Sequence, residues 1–532
     1  MRKLATRYKV VEVVTPEGHT ELVYADRPKS LAELLNNTVN KYGDQEGPIS
    51  ASARLSYKQF ASSVSNVSSA LYHKYGIRKG DRVALMLGND LEFVISFFAL
   101  ARIGAIAVPL NTAYKGEELV FQVNDSGAVM LIMELEFHEL IAEVRSEIKE
   151  VKHVFVTGGE PPDATLAFPE LLKQEEYMPV DVKVDETDSV AIIYTSGTTG
   201  RPKGALLSHK AVIASAMNVA QLFGWRVGRD KMLNVVPLFH VTGLAMALVS
   251  PIYAGVPVVL IRRFKAADTL KVIEEERITT MTAVPTIFWL MLNVPEFDQY
   301  DLSSLRLLAA GGSASSEELL KRCTEKLPGV PLLPGYGLTE ACAMTHTTTT
   351  LDEALSKIGS VGCPVPIIDA KVVDASGTEL PPEESGELLL KGCQVIKEYW
   401  NNPQATRETI VDGWLHTGDV ARITEEGYTY ILDRIKDMIN RGGENIYSIE
   451  VENVLYRNSK ILEVAVVGVP DPVFGEQVKA VLVLKPGEQA TPEEIQEFCR
   501  RYLADYKVPK YVEIRQALPR NPAGKIIKGE LK

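Results

Sequence analysis

The sequence predicts an α/β protein. It reads as a large N-terminal domain of two packed α/β sheets plus a small β region, followed by a small C-terminal α+β domain. Residues 30 to 130 alternate helical and strand patterns, and the alternation recurs over 256–327. Beyond Cys363 the composition shifts to short, turn-bounded segments of alternating polarity.

In chain order, Leu31 to Leu35 starts a helix and Tyr57 to Tyr72 forms another. Arg82 to Met86 reads as a strand, Leu91 to Ile103 as an apolar helix, and Ala105 to Leu110 as a strand. Strand, helix, strand implies a right-handed crossover in a parallel sheet. The second round has strands at Val256–Ile261, Thr279–Ala283 and Leu305–Ala310, with helices at Ala267–Glu276 and Ser315–Leu327. The β region follows with Ala370–Val373, Gly386–Leu390 and Gly427–Ile431. After Lys436 comes a compact unit with helices at Ser448–Tyr456 and Pro492–Leu503. Its strands are read at Val464–Val469, Val478–Leu484 and Tyr511–Ile514.

The chain has 532 residues, more than one core supports. Its 46% hydrophobic and 24% charged residues are ordinary for a soluble globular protein. A net charge of −12 argues against nucleic acid or an anionic membrane as the main partner. Five cysteines without a CxxC pair argue against zinc and a disulfide framework, and fit a reducing, cytoplasmic setting. Met1 to Lys9 carries charge with no apolar run behind it, so no secretory leader is expected. Met232 to Ile261 is long and apolar, but Pro237, His240, Pro251 and Pro257 interrupt it, so a buried strand, helix and strand explain it better than a membrane span.

The stretch richest in chemistry runs from Tyr194 to Gly204, YTSGTTGRPKG. An apolar strand, Ser189 to Tyr194, leads into it. Glycines bring backbone N–H groups close to an anion, the hydroxyls add donors, and Lys203 adds a mobile charge, a combination suited to a polyphosphate. The spacing is not the Walker pattern, because no Gly-Lys-Ser/Thr closes the loop and opens a helix. Instead Ala205 to Leu207 continues extended, and Ser208 reads as the N-cap of a helix starting near Lys210. The competing reading is a plain Gly/Thr surface turn.

This loop resembles the phosphate-binding signature of the adenylate-forming superfamily: acyl- and aryl-CoA synthetases, beetle luciferases and peptide-synthetase adenylation domains. The segment Pro334 to Glu340, PGYGLTE, is a second match. Here the resemblance implies that Thr195, Ser196, Gly197, Thr198, Thr199, Gly200 and Lys203 hold ATP phosphates. Gly335, Tyr336 and Gly337 would flank the purine, Thr339 would meet phosphate, and Glu340 would bind Mg²⁺. Gly312, Ser313 and Ala314, after an apolar strand, would wall the adenine at the strand edge where open α/β sheets bind ligands. As a helix-entry turn, the same segment would have Ser313 as its cap.

By the same resemblance Asp419 clamps the ribose diol, helped by Arg434; the plain alternative for Asp419 is a turn aspartate. Lys436 becomes the hinge between residues 1–435, which hold ATP and acyl substrate, and a mobile domain over 436–532. Gly442 and Gly443 would face the coenzyme A thiol after the small domain rotates, although a glycine pair is also a common surface turn. Lys525 matches the C-terminal catalytic lysine, and Thr195, Glu340 and His240 join it in the catalytic set. His240 would line the acyl pocket, and is otherwise a core histidine.

Amino-acid-activating relatives place an aspartate near this histidine, and none occurs between Met232 and Ile261. The resemblance, running from about residue 30 to the end, implies an ATP- and CoA-dependent acyl-CoA synthetase for a fatty or other apolar acid. Its partners would be the acid, ATP and CoA, with room for a homodimer. Competing readings are an aryl (cinnamate-like) CoA ligase, an acyl-AMP ligase feeding a carrier protein, or a regulator hydrolysing ATP to ADP.

Overall fold

The computed structural model describes residues 2–15, 18–174, 177, 180–195, 201–313, 315–520 and 526–532. Strand Arg82–Met86 joins its neighbours Ile106–Pro109 and Met130–Glu134 in parallel. These belong to a seven-stranded sheet whose antiparallel edge is the hairpin of Ser189–Thr195 and Lys203–Ser208. A nine-stranded sheet is built on parallel strands Met232–Asn234, Val258–Leu260, Thr280–Ala283, Leu307–Ala310 and Leu332–Leu338. Its far edge is Glu46–Ile49 and Arg54–Ser56, which the chain makes before it enters the first sheet.

Side chains alternate along each strand, and that period of two sorts them into layers. Val83 and Leu85 point into the central core, whereas Ala84 and Met86 join an outer cluster. In the second sheet Met232, Leu307 and Leu333 share the central core, while Leu233, Leu308 and Leu332 face the opposite outer cluster. Both sheets are thus buried on both faces, which is why their strands read as continuous apolar runs. The Met232–Ile261 segment lies mostly inside this core as strand, helix and strand, with helical turns over Thr242–Val249 and Ser250–Ala254. Among the described residues no helix is long and apolar enough to cross a membrane.

A third, antiparallel sheet contains Ile368–Val373, Ser385–Gly392, Trp414–Ile423 and Thr429–Arg434. It packs Val372, Leu388 and Leu415 against the central core. Residues from Ile439 onward have two apolar clusters of their own, one on each face of a sheet built on Ile461–Asp471 and Gly475–Leu484. All five cysteines are free and buried.

Several boundaries match the sequence reading to the residue: Arg82–Met86, Ser448–Tyr456 and Tyr511–Ile514. The helix expected over Ser315–Leu327 runs only Glu317–Lys326, because Ser316 accepts from the Leu319 amide at 3.2 Å and caps it. Ser313 is therefore not the cap.

Candidate active site

The hairpin of Ser189–Thr195 and Lys203–Ser208 presents its loop at the edge of the first sheet, with Thr195 paired to Lys203. Thr195 Oγ1 donates to the Lys203 carbonyl at 3.4 Å. Ser208 caps helix His209–Phe223, as its sequence position suggests. Ser196, Gly197, Thr198, Thr199 and Gly200 lie outside the described residues, as do Ala314 and Lys525.

A segment that sequence reasoning passed over, residues 396–400, fastens this hairpin to the second motif. Trp400 N donates to Gly204 O at 2.7 Å, Leu206 N to Glu398 O at 3.2 Å, and Ile396 N to Glu340 O at 2.8 Å. At its centre the Tyr399 hydroxyl donates to Glu340 Oε1 at 2.7 Å, while Lys203 Nζ sits 5.4 Å from the Tyr399 ring centroid. Burial and the Glu340 carboxylate push the Tyr399 phenol up, so it stays a donor. One aromatic residue thus links Lys203 to Glu340, the candidate metal carboxylate. The available signal was Glu398-Tyr399-Trp400 followed by Asn-Asn-Pro, a short string with no glycine loop or charge cluster to flag it.

Strand Leu332–Leu338 delivers Gly335, Tyr336 and Gly337, and Thr339 and Glu340 follow in a short 3-10 turn. Gly337 is required by close approach, since a Cβ there would lie 1.6 Å from the Ala343 carbonyl oxygen. Just after Glu340 the backbone is strained: Cys342 and Ala343 hold φ of 50° and 78°, a conformation costing roughly 1–2 kcal/mol per residue. Gly311 ends the neighbouring strand so near that a Cβ on it would be 3.4 Å from the Gly335 oxygen. The Gly312–Ser313 edge and the Tyr336 strand therefore form one crevice wall.

The adjoining face comes from the third sheet. Asp419 and Arg434 are cross-strand partners, with Arg434 Nε 3.1 Å from Asp419 Oδ1. The Tyr336 hydroxyl donates to Asp419 Oδ2 at 2.6 Å. Asp419 is 4% exposed, and it lies within a strand rather than a turn. Burial and the Asp419 charge raise the Tyr336 phenol well above its usual range. Burial alone would lower the Arg434 guanidinium, but Asp419 outweighs it and keeps it charged. A carboxylate so held can accept two hydroxyl donors from a vicinal diol.

The remaining sequence-nominated residues are His240, Lys436, Gly442 and Gly443. His240 is half-buried, its ring 4.7 Å from that of Phe239. Lys436 is exposed, in the turn between Thr429–Arg434 and Ile439–Arg441. Gly442 and Gly443 form the two-residue tip of a hairpin, with φ of 63° and 92°, and both are exposed. Two consecutive positive φ values are what a tight hairpin turn demands, so these glycines have a structural reason to exist.

Among the described residues no three His, Cys, Asp or Glu side chains gather as a metal cage. Glu340 has one oxygen engaged by Tyr399 and is tied through residues 396–400 to the Thr195–Lys203 hairpin. A single carboxylate beside a polyphosphate site fits Mg²⁺, a hard ion that keeps substrate oxygens and water among its ligands.

The AMP-binding enzyme family matches residues 35–400, and the AMP-binding enzyme C-terminal domain matches 450–525. A long-chain-fatty-acid–CoA ligase of Bacillus subtilis (strain 168) is 36% identical over 530 residues, covering 94% of each chain. A feruloyl-CoA synthase of Amycolatopsis sp is 38% identical over 481 residues, 90% of this chain and 93% of that one. Among solved structures, the anthranilate CoA ligase AuaEII in complex with anthranoyl-AMP superposes with a TM-score of 0.88 at 30% identity, covering 95% of this chain and 98% of its own.

Proposed function

Since this chain belongs to the AMP-binding enzyme family and is an AMP-forming acid–thiol ligase using ATP, Mg²⁺ and CoA, we propose that its acid is a fatty or other apolar carboxylate. The observation that carries the nucleotide assignment is the hydrogen-bonded set Tyr336, Asp419 and Arg434, with the Gly311–Gly312 edge beside the Tyr336 strand. Asp419 receives the ribose diol, Arg434 assists at ribose and phosphate, and the Tyr336 face stacks on the purine.

A carboxylate is a poor acyl donor, because its carbonyl carbon is shielded by charge and oxide does not leave. Attack of a carboxylate oxygen on the α-phosphorus forms a mixed anhydride and expels pyrophosphate. The CoA sulfur then attacks the carbonyl carbon and AMP departs. Positioning and charge neutralisation supply most of the rate in such a transfer. Thr195 and Lys203 hold phosphate oxygens, and Lys525 bridges the substrate carboxylate and the α-phosphate as charge builds. Mg²⁺ on Glu340 would neutralise phosphate charge, and Tyr399 keeps that carboxylate oriented.

Residues 436–532 rotate about Lys436 between the two half-reactions, in line with its exposed turn and the separate apolar clusters beyond it. Rotation withdraws Lys525 and brings the Gly442–Gly443 tip to the thiol. His240 lines the acyl pocket. The net charge of −12 and five free buried cysteines support a cytoplasmic setting, and light scattering decides between a monomer and a homodimer.

The feruloyl-CoA synthase relative favours an aryl acid as second reading. Pyrophosphate–ATP exchange across fatty and cinnamate-like acids tests both: strong exchange with fatty acids and AMP as product is expected. Exchange confined to aryl acids transfers the assignment to them. Acid-independent release of ADP would overturn the ligase.

A further inference from the structure

Adjacent residues on strand Thr429–Arg434 serve opposite sides of the molecule. Arg434 reaches Asp419 in the crevice, while Asp433, 2% exposed, turns toward the C-terminal unit. Asp433 Oδ2 accepts from the Ser448 amide at 2.5 Å, and Oδ1 accepts from the Ser448 hydroxyl at 3.0 Å. Ser448 opens helix Ser448–Tyr456, whose N-cap residue Tyr447 offers no side-chain cap. The helix start is therefore capped by a carboxylate from beyond the hinge, a charge-assisted arrangement that also suits the helix dipole.

Lys528 completes the chain of contacts. Its Nζ donates to Ser448 Oγ at 2.7 Å and pairs with Glu452 at 2.7 Å. Glu452 in turn accepts from the Val466 amide at 2.9 Å. Burial opposes the Lys528 charge, but Glu452 and Asp433 outweigh it and hold the ammonium protonated. Lys528 lies three residues past Lys525, just beyond the base of that loop, where Arg520 bridges Ile526 and Ile527 N donates to Pro519 O. In this arrangement the Gly442–Gly443 tip faces solvent, and Arg457, just past the end of helix Ser448–Tyr456, lies 3.5 Å from Glu317 of the large unit.

We propose that Lys528 is a positioning residue. With Ser448 and Asp433 it latches the C-terminal unit in the orientation that serves adenylation, fixing the base of the Lys525 loop to the strand that carries Arg434. The inference rests on the two-step reading above. Rotation about Lys436 moves Ser448 and Lys528 away from Asp433, so the latch must open before the Gly442–Gly443 tip can reach the thiol.

The test uses the full chain with Glu317→Cys and Arg457→Cys, a pair that a short bismaleimide joins only in this orientation, the natural cysteines being buried. Lys528→Met should slow crosslinking and single-turnover adenylation about tenfold, the size of one charged hydrogen bond, while thiolation of supplied acyl-adenylate stays within about twofold. Lys528→Arg should restore both, and Asp433→Asn added to Lys528→Met should cost little more. Should Lys528→Met fail to fold, Ser448→Ala carries the same expectation. Unchanged crosslinking, or equal loss of both half-reactions without rescue by arginine, would overturn the latch. Crosslinking needs no substrate, so a chain that makes no AMP would refute the ligase reading while leaving this result to stand alone.

Discussion

At the candidate site, Tyr336, Asp419 and Arg434 are joined by short polar contacts, and Glu340 is held by Tyr399 on a segment zipped to the Thr195–Lys203 hairpin. In the C-terminal unit, Gly442 and Gly443 stand exposed on a narrow hairpin, and Lys436 in the turn before it is exposed as well. The first region is organised before any ligand arrives, so little is spent ordering it at the moment of reaction. The second is organised locally, as a turn, and under the proposed rotation it acquires its partners by travelling. Groups that stabilise charge need fixed positions, whereas groups that serve successive steps need a low cost of leaving.

The sharpest way to break that contrast is at Lys525. Lys525→Ala should slow adenylation by about 10²–10³-fold, the loss of one transition-state charge partner, and spare thiolation of supplied acyl-adenylate. Equal loss in both steps, measured by single-turnover quench, would deny that the lysine serves one step. Gly443→Leu should do the reverse, cutting thioester formation about 10²-fold with adenylation retained. A Cβ there meets nothing within 4 Å, so the cost to folding is limited to the positive φ, roughly 1–2 kcal/mol. Full CoA turnover in that variant would make the tip a turn and nothing more.

On the fixed side, Tyr399→Phe removes one hydrogen bond to a carboxylate and should lower adenylation about tenfold. The apparent affinity for Mg²⁺ should fall with it, read by titrating the metal at saturating ATP. A smaller effect concerns stability. Burial depresses His209 from 6.5 to about 4, and its Nδ1 accepts from the Leu31 amide. Between those values the unfolded chain binds a proton that the folded chain refuses. Stability is therefore full above pH 6.5 and falls with acidification, by about 1.4 kcal/mol per pH unit. His346, buried and depressed to about 3, adds to the slope. Denaturant midpoints that do not change between pH 7 and pH 5 would contradict both assignments.

Much of this was legible in the sequence where the signal is local. Arg82–Met86 is a run of apolar residues between turns, and Ser208 is a cap three residues before an amide that needs one. The order of strands was not legible. Nothing in Glu46–Ser56 says that it will edge the second sheet rather than the first, because that choice is made by residues some two hundred positions away. The N-terminal hairpin Val10–Val14 with Thr20–Tyr24 also went unread, its strands being partly exposed and short. At the site, charged and glycine-rich strings announced themselves. Tyr399 did not, since it acts through a neighbour brought near by folding, and the contact of Asp433 with Ser448 was likewise out of reach although its string stood out.

The buried cysteines bear on selectivity. A protein that manufactures an acylating agent risks reacting with itself, and Cys342 lies two residues from Glu340. Burial pushes the Cys342 thiol up and raises Cys323 and Cys393 to about 12, so none of these offers a thiolate near neutral pH. With its own sulfur silenced, the enzyme leaves the incoming coenzyme unrivalled as a nucleophile for the activated acyl group.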